Sequence, residues 1–95
     1  MDKNEAENLL NKSREKIDEL DEKIIQLILE RTSLAEDIIT SKKALNKDLF
    51  DSSRENIIHE KVRNAVADKQ INTEKVVQIF DLLASISKEE QEKYL

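Results

Sequence analysis

Ninety-five residues without a glycine, proline or cysteine suit one domain, expected over residues 1–95, and leave out the usual tight-turn formers, helix breakers, disulfides, thiolate metal sites and cysteine nucleophiles. With 39% charged and 38% hydrophobic residues, a lone chain of this length buries little surface, so helix faces and association into a dimer have to supply the core. The net charge of −5 argues against a general nucleic-acid binder, and the absence of a signal-peptide pattern or a membrane-length apolar run leads to the expectation of a cytoplasmic protein with no membrane partner.

From about Glu5 to Ala44, Leu9, Leu10, Ile17, Leu20, Ile24, Leu27, Ile28, Leu34, Ala35, Ile38 and Ile39 recur at three-and-four spacing, which predicts one long amphipathic helix. Some 40 residues at a rise of about 1.5 Å would reach about 60 Å, more than one small domain covers, so a partner chain is expected along it. Asn46-Lys-Asp48 carries turn-forming residues, and Ser52-Ser-Arg-Glu55 fits a capping box that starts a second helix near Ser53. That helix is expected to bury Ile58, Val62, Ala65 and Val66. Asp68–Asn72 reads as the next loop, with Asn72 or Thr73 capping a third helix that runs to about Tyr94. Its apolar residues cover more than one face, so it is expected to pack on two sides. The predicted fold is all-α, with a long first helix and shorter second and third ones.

Arg31 stands out on the first helix. Its neighbours at i±3 and i±4 are Leu27, Ile28, Leu34 and Ala35, so a permanent cation projects from an apolar patch. Left unpaired in a core it would cost several kcal/mol of a stability of roughly 5–15, so an anion, either an internal carboxylate or a ligand, is expected to meet it. Lys42, eleven residues on, returns to within about 20° of the same direction. Asp51, Arg54, Glu55 and Ile58 share a face of the second helix, and Phe80, Ala84, Ser87 and Gln91 a face of the third. Arg14 lies about 25 Å and about 100° away from Arg31 on a straight helix, so it can join the same small site only from an antiparallel second chain.

Plainer readings compete. Arg54 beside Asp51 and Glu55 also fits a surface ion pair, Lys42-Lys43 a solvated helix C-terminus favoured by the macrodipole, and Ser87 and Gln91 an exposed helix face. Asp21 fits an internal pair. His59, with no cysteine, second histidine or patterned carboxylate nearby in sequence, reads as solvated rather than as a metal ligand or base. Arg31 is the residue least open to such an account, although Glu55 or Asp51 would serve as a structural partner.

Taken in order, Ser13-Arg-Glu-Lys-Ile-Asp-Glu-Leu-Asp21, Leu29-Glu-Arg31, Lys42, Asp51-Ser-Ser-Arg-Glu55 and Ser87-Lys-Glu-Glu-Gln91 resemble the all-helical class of chorismate mutases, of the monofunctional bacterial and archaeal type, over nearly the whole chain. The resemblance implies an intertwined homodimer of three-helix chains and the rearrangement of chorismate to prephenate, on the route to phenylalanine and tyrosine. It also implies the roles. Arg31 and the other chain's Arg14 would hold the two carboxylates with help from Ser87, Lys42 and Gln91 would donate to the ether oxygen, Glu55 and Asp51 would take the ring hydroxyl end, and Arg54 would line the pocket. The catalytic set is then Lys42, Gln91 and Arg31.

Such a unimolecular reaction needs no cofactor, metal, nucleophile or proton transfer, only a compact substrate conformer and donors where charge develops. The segment Asn46-Lys-Asp-Leu-Phe50 lacks the proline that many relatives carry there, which leads to the expectation of a more mobile loop. With no fused domain in the sequence, a monofunctional enzyme is expected. An isochorismate-pyruvate lyase on the same scaffold and a non-enzymatic helical dimerisation module are the alternatives.

Overall fold

The computed structural model describes all 95 residues, in four helices and no strand. These are α1 (Lys3–Thr32), α2 (Ala35–Ala44), α3 (Ser52–Val66) and α4 (Thr73–Glu92). The three expected helical spans are present, but the first is interrupted at Ser33 and Leu34 and so forms α1 and α2. At the break the Leu34 N–H donates to the Arg31 carbonyl at 3.3 Å, a tightened i to i−3 bond, and Leu34 sits at φ −83°, ψ −5°. Thr32 and Ser33, both weak helix formers, immediately precede Leu34 at the break.

The chain divides into two compact units, residues 1–30 and 31–95. In the first, the Asp2 carboxylate caps α1 by accepting from the Glu5 N–H at 2.8 Å. None of the α1 residues is buried. Leu9, Ile17, Leu20 and Ile24 remain 43–53% exposed, so the apolar stripe read from the sequence exists and stands uncovered. No helix of the chain is long and apolar enough to cross a membrane.

In the second unit α4 packs against both α2 and α3, as the two-sided distribution of its apolar residues predicts. Ala35 and Ile39 of α2, Val62 of α3 and Val77 of α4 form the buried apolar core. Of the residues expected to be buried on α3, Val62 is buried and Ile58 and Val66 half-buried, whereas Ala65 is exposed. Three side-chain pairs join α3 to α4: the ion pairs of Glu55 with Lys88 at 3.7 Å and Arg63 with Glu74 at 2.6 Å, and the hydrogen bond between His59 and Asp81 at 2.5 Å. Advancing by four on α3 and retreating by seven on α4, they run along one face of each helix and fix an antiparallel register.

The caps refine the sequence reading. Asp51, not Ser52 or Ser53, begins α3: its carboxylate accepts from the Arg54 N–H at 3.1 Å, a stronger acceptor than a hydroxyl. Asn72 caps α4 by accepting from the Lys75 N–H at 3.1 Å. At the end of α2, Asn46 adopts φ 55°, the Lys47 N–H reaches back to the Lys42 carbonyl at 2.8 Å and the Asn46 N–H to the Lys43 carbonyl at 3.3 Å. This is a Schellman ending with asparagine where glycine is usual. In a chain without glycine, Asn46 is what turns the backbone towards the site.

Two substitutions test that turn. Asn46→Gly should hold or slightly raise stability, while Asn46→Val, β-branched at a positive φ, should lower it by about 1–2 kcal/mol. Urea denaturation followed by circular dichroism measures both, and equal behaviour of the two variants would contradict the left-handed turn.

Candidate active site

Lys42 sits one turn before the Schellman ending of α2, so its side chain leaves the helix beside the loop that follows. The ammonium donates to the Leu49 carbonyl at 2.8 Å and to Gln91 Oε1 at 2.9 Å, joining α2, the loop and α4. Because an ammonium only donates, Gln91 has to present its oxygen to Lys42, which leaves its amide nitrogen to donate to Ser87 Oγ at 3.0 Å. Gln91 is 4% exposed, and no buried polar side-chain atom lacks a hydrogen bond. The network uses two of the three Lys42 protons and one of the two Gln91 amide protons. One proton of each remains outside this network.

Arg31 donates to the Leu83 carbonyl of α4 at 3.1 Å. The expectation that an anion meets it is thus not fulfilled within the chain: neither Glu55 nor Asp51 pairs with it, and a carbonyl satisfies one N–H while leaving the charge uncompensated. Asp51 is occupied as the α3 cap. Glu55 takes Lys88. The Arg54 side chain makes no ion pair, so the surface-pair reading of Arg54 with Asp51 or Glu55 does not hold.

These residues surround an open cleft of about 630 Å³ within residues 31–95, a volume in the range of small-molecule sites. Arg31, Lys42, Asp51, Arg54, Glu55, Ser87 and Gln91 all line it. Of the eight site residues predicted from the sequence, these seven are brought together, while Arg14 lies exposed on α1 in the other unit. Five lysines and arginines against three carboxylates line the cleft, so it is locally positive in a chain of net charge −5. Leu34, Ile38, Leu45, Leu49, Ile58 and Ala84 supply apolar wall.

Sequence reasoning missed Lys88 and Lys47, which also line the cleft. Lys88 was findable, since it is adjacent to Ser87, whereas Lys47 becomes a lining residue only through the turn at Asn46. His59 is not solvated alone, because Asp81 from α4 meets it and Glu55 lies close by. The 2.5 Å contact between His59 and Asp81 is a direct hydrogen bond, too close for two ligands sharing one metal ion. Asp21, expected in an internal pair, is exposed on α1 with no ion pair. Outside the cleft, the Lys93 pKa is raised above its ordinary value by its hydrogen bond to Glu90 at 2.7 Å and the Coulombic pull of that carboxylate.

This all-helical unit thus carries a cleft in which Arg31 and Lys42 meet neutral acceptors beside the fixed Gln91 amide. Residues 13–92 match the family described as chorismate mutase type II. The chain is 37% identical over 82 residues to a protein of Methanocaldococcus jannaschii named chorismate mutase, covering 86% of this chain and 83% of that one. It is 32% identical over 90 residues to a bifunctional chorismate mutase/prephenate dehydratase of Buchnera aphidicola subsp. Schizaphis graminum, covering 95% of this chain and 23% of that protein. No solved structure matches. The chain belongs to the type II chorismate mutase family, and the isomerase function expected from its sequence motifs is supported by both the family match and the archaeal relative.

The Lys42–Gln91 contact should be visible in stability. Gln91→Leu, close in shape, leaves the part-buried ammonium short of an acceptor and should cost about 1–3 kcal/mol. Adding Lys42→Met should recover part of that loss, giving a coupling of about 1 kcal/mol in a double-mutant cycle of urea unfolding. Strict additivity would mean that the two side chains do not interact.

Proposed function

We propose that this cleft rearranges chorismate to prephenate by holding the substrate in its compact conformer and stabilising the ether oxygen as the bond breaks. The observation that carries the reading is the Lys42–Gln91 pair at 2.9 Å in a positive cleft, in a chain of this family. Within one molecule the carbon–oxygen bond cleaves and a carbon–carbon bond forms. No proton, electron or group is exchanged with the protein, so the site has only to position and to stabilise charge.

Arg31 grips one substrate carboxylate. Its planar fork suits a bidentate contact, and its bond to the neutral Leu83 carbonyl orients it without cancelling its charge. The remaining Lys42 and Gln91 protons meet the ether oxygen, where charge grows as the bond lengthens. A preorganised donor at such a position is worth roughly 3–4 kcal/mol in the transition state. Ser87 aims the Gln91 amide through the 3.0 Å bond and assists at the carboxylate. Glu55 and Asp51 receive the ring hydroxyl end and Arg54 closes the wall. No cofactor or metal takes part.

The second carboxylate goes to Arg14 of a second copy. Two features support an intertwined homodimer: α1 carries an uncovered apolar stripe, and Arg14 belongs to the unit of residues 1–30, whereas the cleft is lined by residues of the other unit. A cytoplasmic location completes the reading.

Incubation of the protein with chorismate, following its loss and prephenate formation, is the direct test. Lys42→Ala and Gln91→Ala should each lower kcat by about 100-fold or more with helicity kept. Because an amide has no ionisable proton, parent activity should vary little from about pH 5 to 8. A Gln91→Glu variant should instead lose activity as pH rises and its carboxyl ionises, since the charged form accepts but cannot donate. Salicylate and pyruvate as products, or a parent profile that falls sharply above pH 6, would refute this mechanism.

Shared sites predict complementation. Arg14→Ala and Lys42→Ala proteins should each be nearly inactive, yet refolded together in equal amounts they should regain about a quarter of parental activity, because half the dimers then hold one intact site of two. No recovery in a mixture that does form mixed dimers would place Arg14 outside the site.

A further inference from the structure

Lys88 has no part in the reaction as described, although it stands among the residues that shape the cleft. It follows Ser87 on α4 and is one-third exposed. Its ammonium lies 3.7 Å from Glu55 Oε1 on α3 and 4.9 Å from the centroid of the Phe50 ring. A single cation thus touches both a proposed substrate ligand and the loop that enters α3.

That loop has no proline or glycine to stiffen or shape it. Its last three residues are instead each held by a different group: the Leu49 carbonyl by Lys42, the Phe50 ring by Lys88 and the Asp51 carboxylate by the Arg54 N–H. Leu49 and Phe50 are adjacent, so a Phe50 ring freed from Lys88 also loosens the carbonyl that aims the Lys42 ammonium. A compact, flexible ammonium suits the task, because it can sit over an aromatic face and beside a carboxylate at once.

We propose that Lys88 is a positioning residue that latches the loop of residues 45–51 to α4, aims Glu55, and so sets the affinity of the cleft for its substrate. The kinetic part rests on the mutase reading given above. Glu55 would meet the hydroxyl end of the ring, away from the bond that breaks, so its placement acts alike on bound substrate and transition state and is felt in KM more than in kcat.

The test compares Lys88→Met, Lys88→Arg and Phe50→Leu in the full chain. Lys88→Met should raise KM for chorismate by about tenfold with kcat within about threefold, Phe50→Leu should raise KM by less, and Lys88→Arg should stay near the parent because it keeps both contacts. Without substrate, backbone order parameters of residues 48–50 should fall from the rigid value of about 0.85 towards about 0.6 in Lys88→Met and Phe50→Leu, with α4 unchanged. Unchanged order parameters and unchanged KM in a folded Lys88→Met protein would overturn the latch. So would a Lys88→Arg protein with a rigid loop and a KM as high as that of Lys88→Met, which would make Lys88 a direct substrate contact. Should Lys88→Met not fold, the loop order of Phe50→Leu decides. Should the parent not rearrange chorismate, the mutase reading fails while the loop measurement still judges the latch.

Discussion

The Lys42 ammonium is the contact on which the rest of the site depends. It is the one group that joins α2, the 45–51 loop and α4, through the Leu49 carbonyl and the Gln91 amide. Without those bonds the loop would lack one of its three tethers, and Gln91 would keep only Ser87, whose hydroxyl can donate or accept and so does not fix which end of the amide faces it. Because the ammonium accepts nothing, it dictates which way the Gln91 amide faces, and that choice leaves the amide nitrogen as the donor to Ser87. One side chain therefore sets both the shape of the site and its polarity.

The partners of the cations divide them by task. Arg63 and Lys88 meet carboxylates, which neutralise them and make them fastenings between helices. Arg31 and Lys42 meet neutral acceptors. A carbonyl or amide oxygen fixes the direction of a cation but leaves its charge, so in the proposed reading the substrate anion would meet these cations without first displacing a carboxylate. This is electrostatic preorganisation in its simplest form. It also answers the problem posed by Arg31 in the sequence: the charge is tolerated because a backbone dipole and the open cleft share it, not because an internal anion cancels it.

The helical spans were legible because three-and-four spacing survives any detail of packing, and the caps at Asn72 and near Asp51 were legible to within two residues because capping is local chemistry. The break at Ser33 and Leu34 was not, since the apolar pattern passes through it unchanged and only the weak local preference of Thr32 and Ser33 marks it. The faces carrying Arg31 and Lys42, Asp51 to Ile58, and Ala84 to Gln91 meet in one cleft, as periodicity requires once the helices pack. What periodicity could not supply was which polar groups would pair across helices. The contact of His59 with Asp81 and that of Lys88 with Phe50 and Glu55 join residues more than twenty positions apart, and such pairs depend on the crossing geometry of α3 and α4 rather than on any local signal.

In the proposed reading the site divides between groups that need only their own unit and one, Arg14, that needs a second chain. Lys42, Gln91, Ser87 and Arg31 are held by contacts inside residues 31–95, which have a core of their own in Ala35, Ile39, Val62 and Val77. Arg14 is carried by a helix with no buried residue, whose order in water rests on weak single-helix terms until its stripe is covered. In the proposed dimer the donor network is therefore built by folding of the chain, while the second carboxylate grip is built by association and is linked to protein concentration. Dilution would take Arg14 from the site before it disturbs the Lys42–Gln91 pair, so the loss falls first on substrate binding and orientation, with the stabilisation of the ether oxygen still in place.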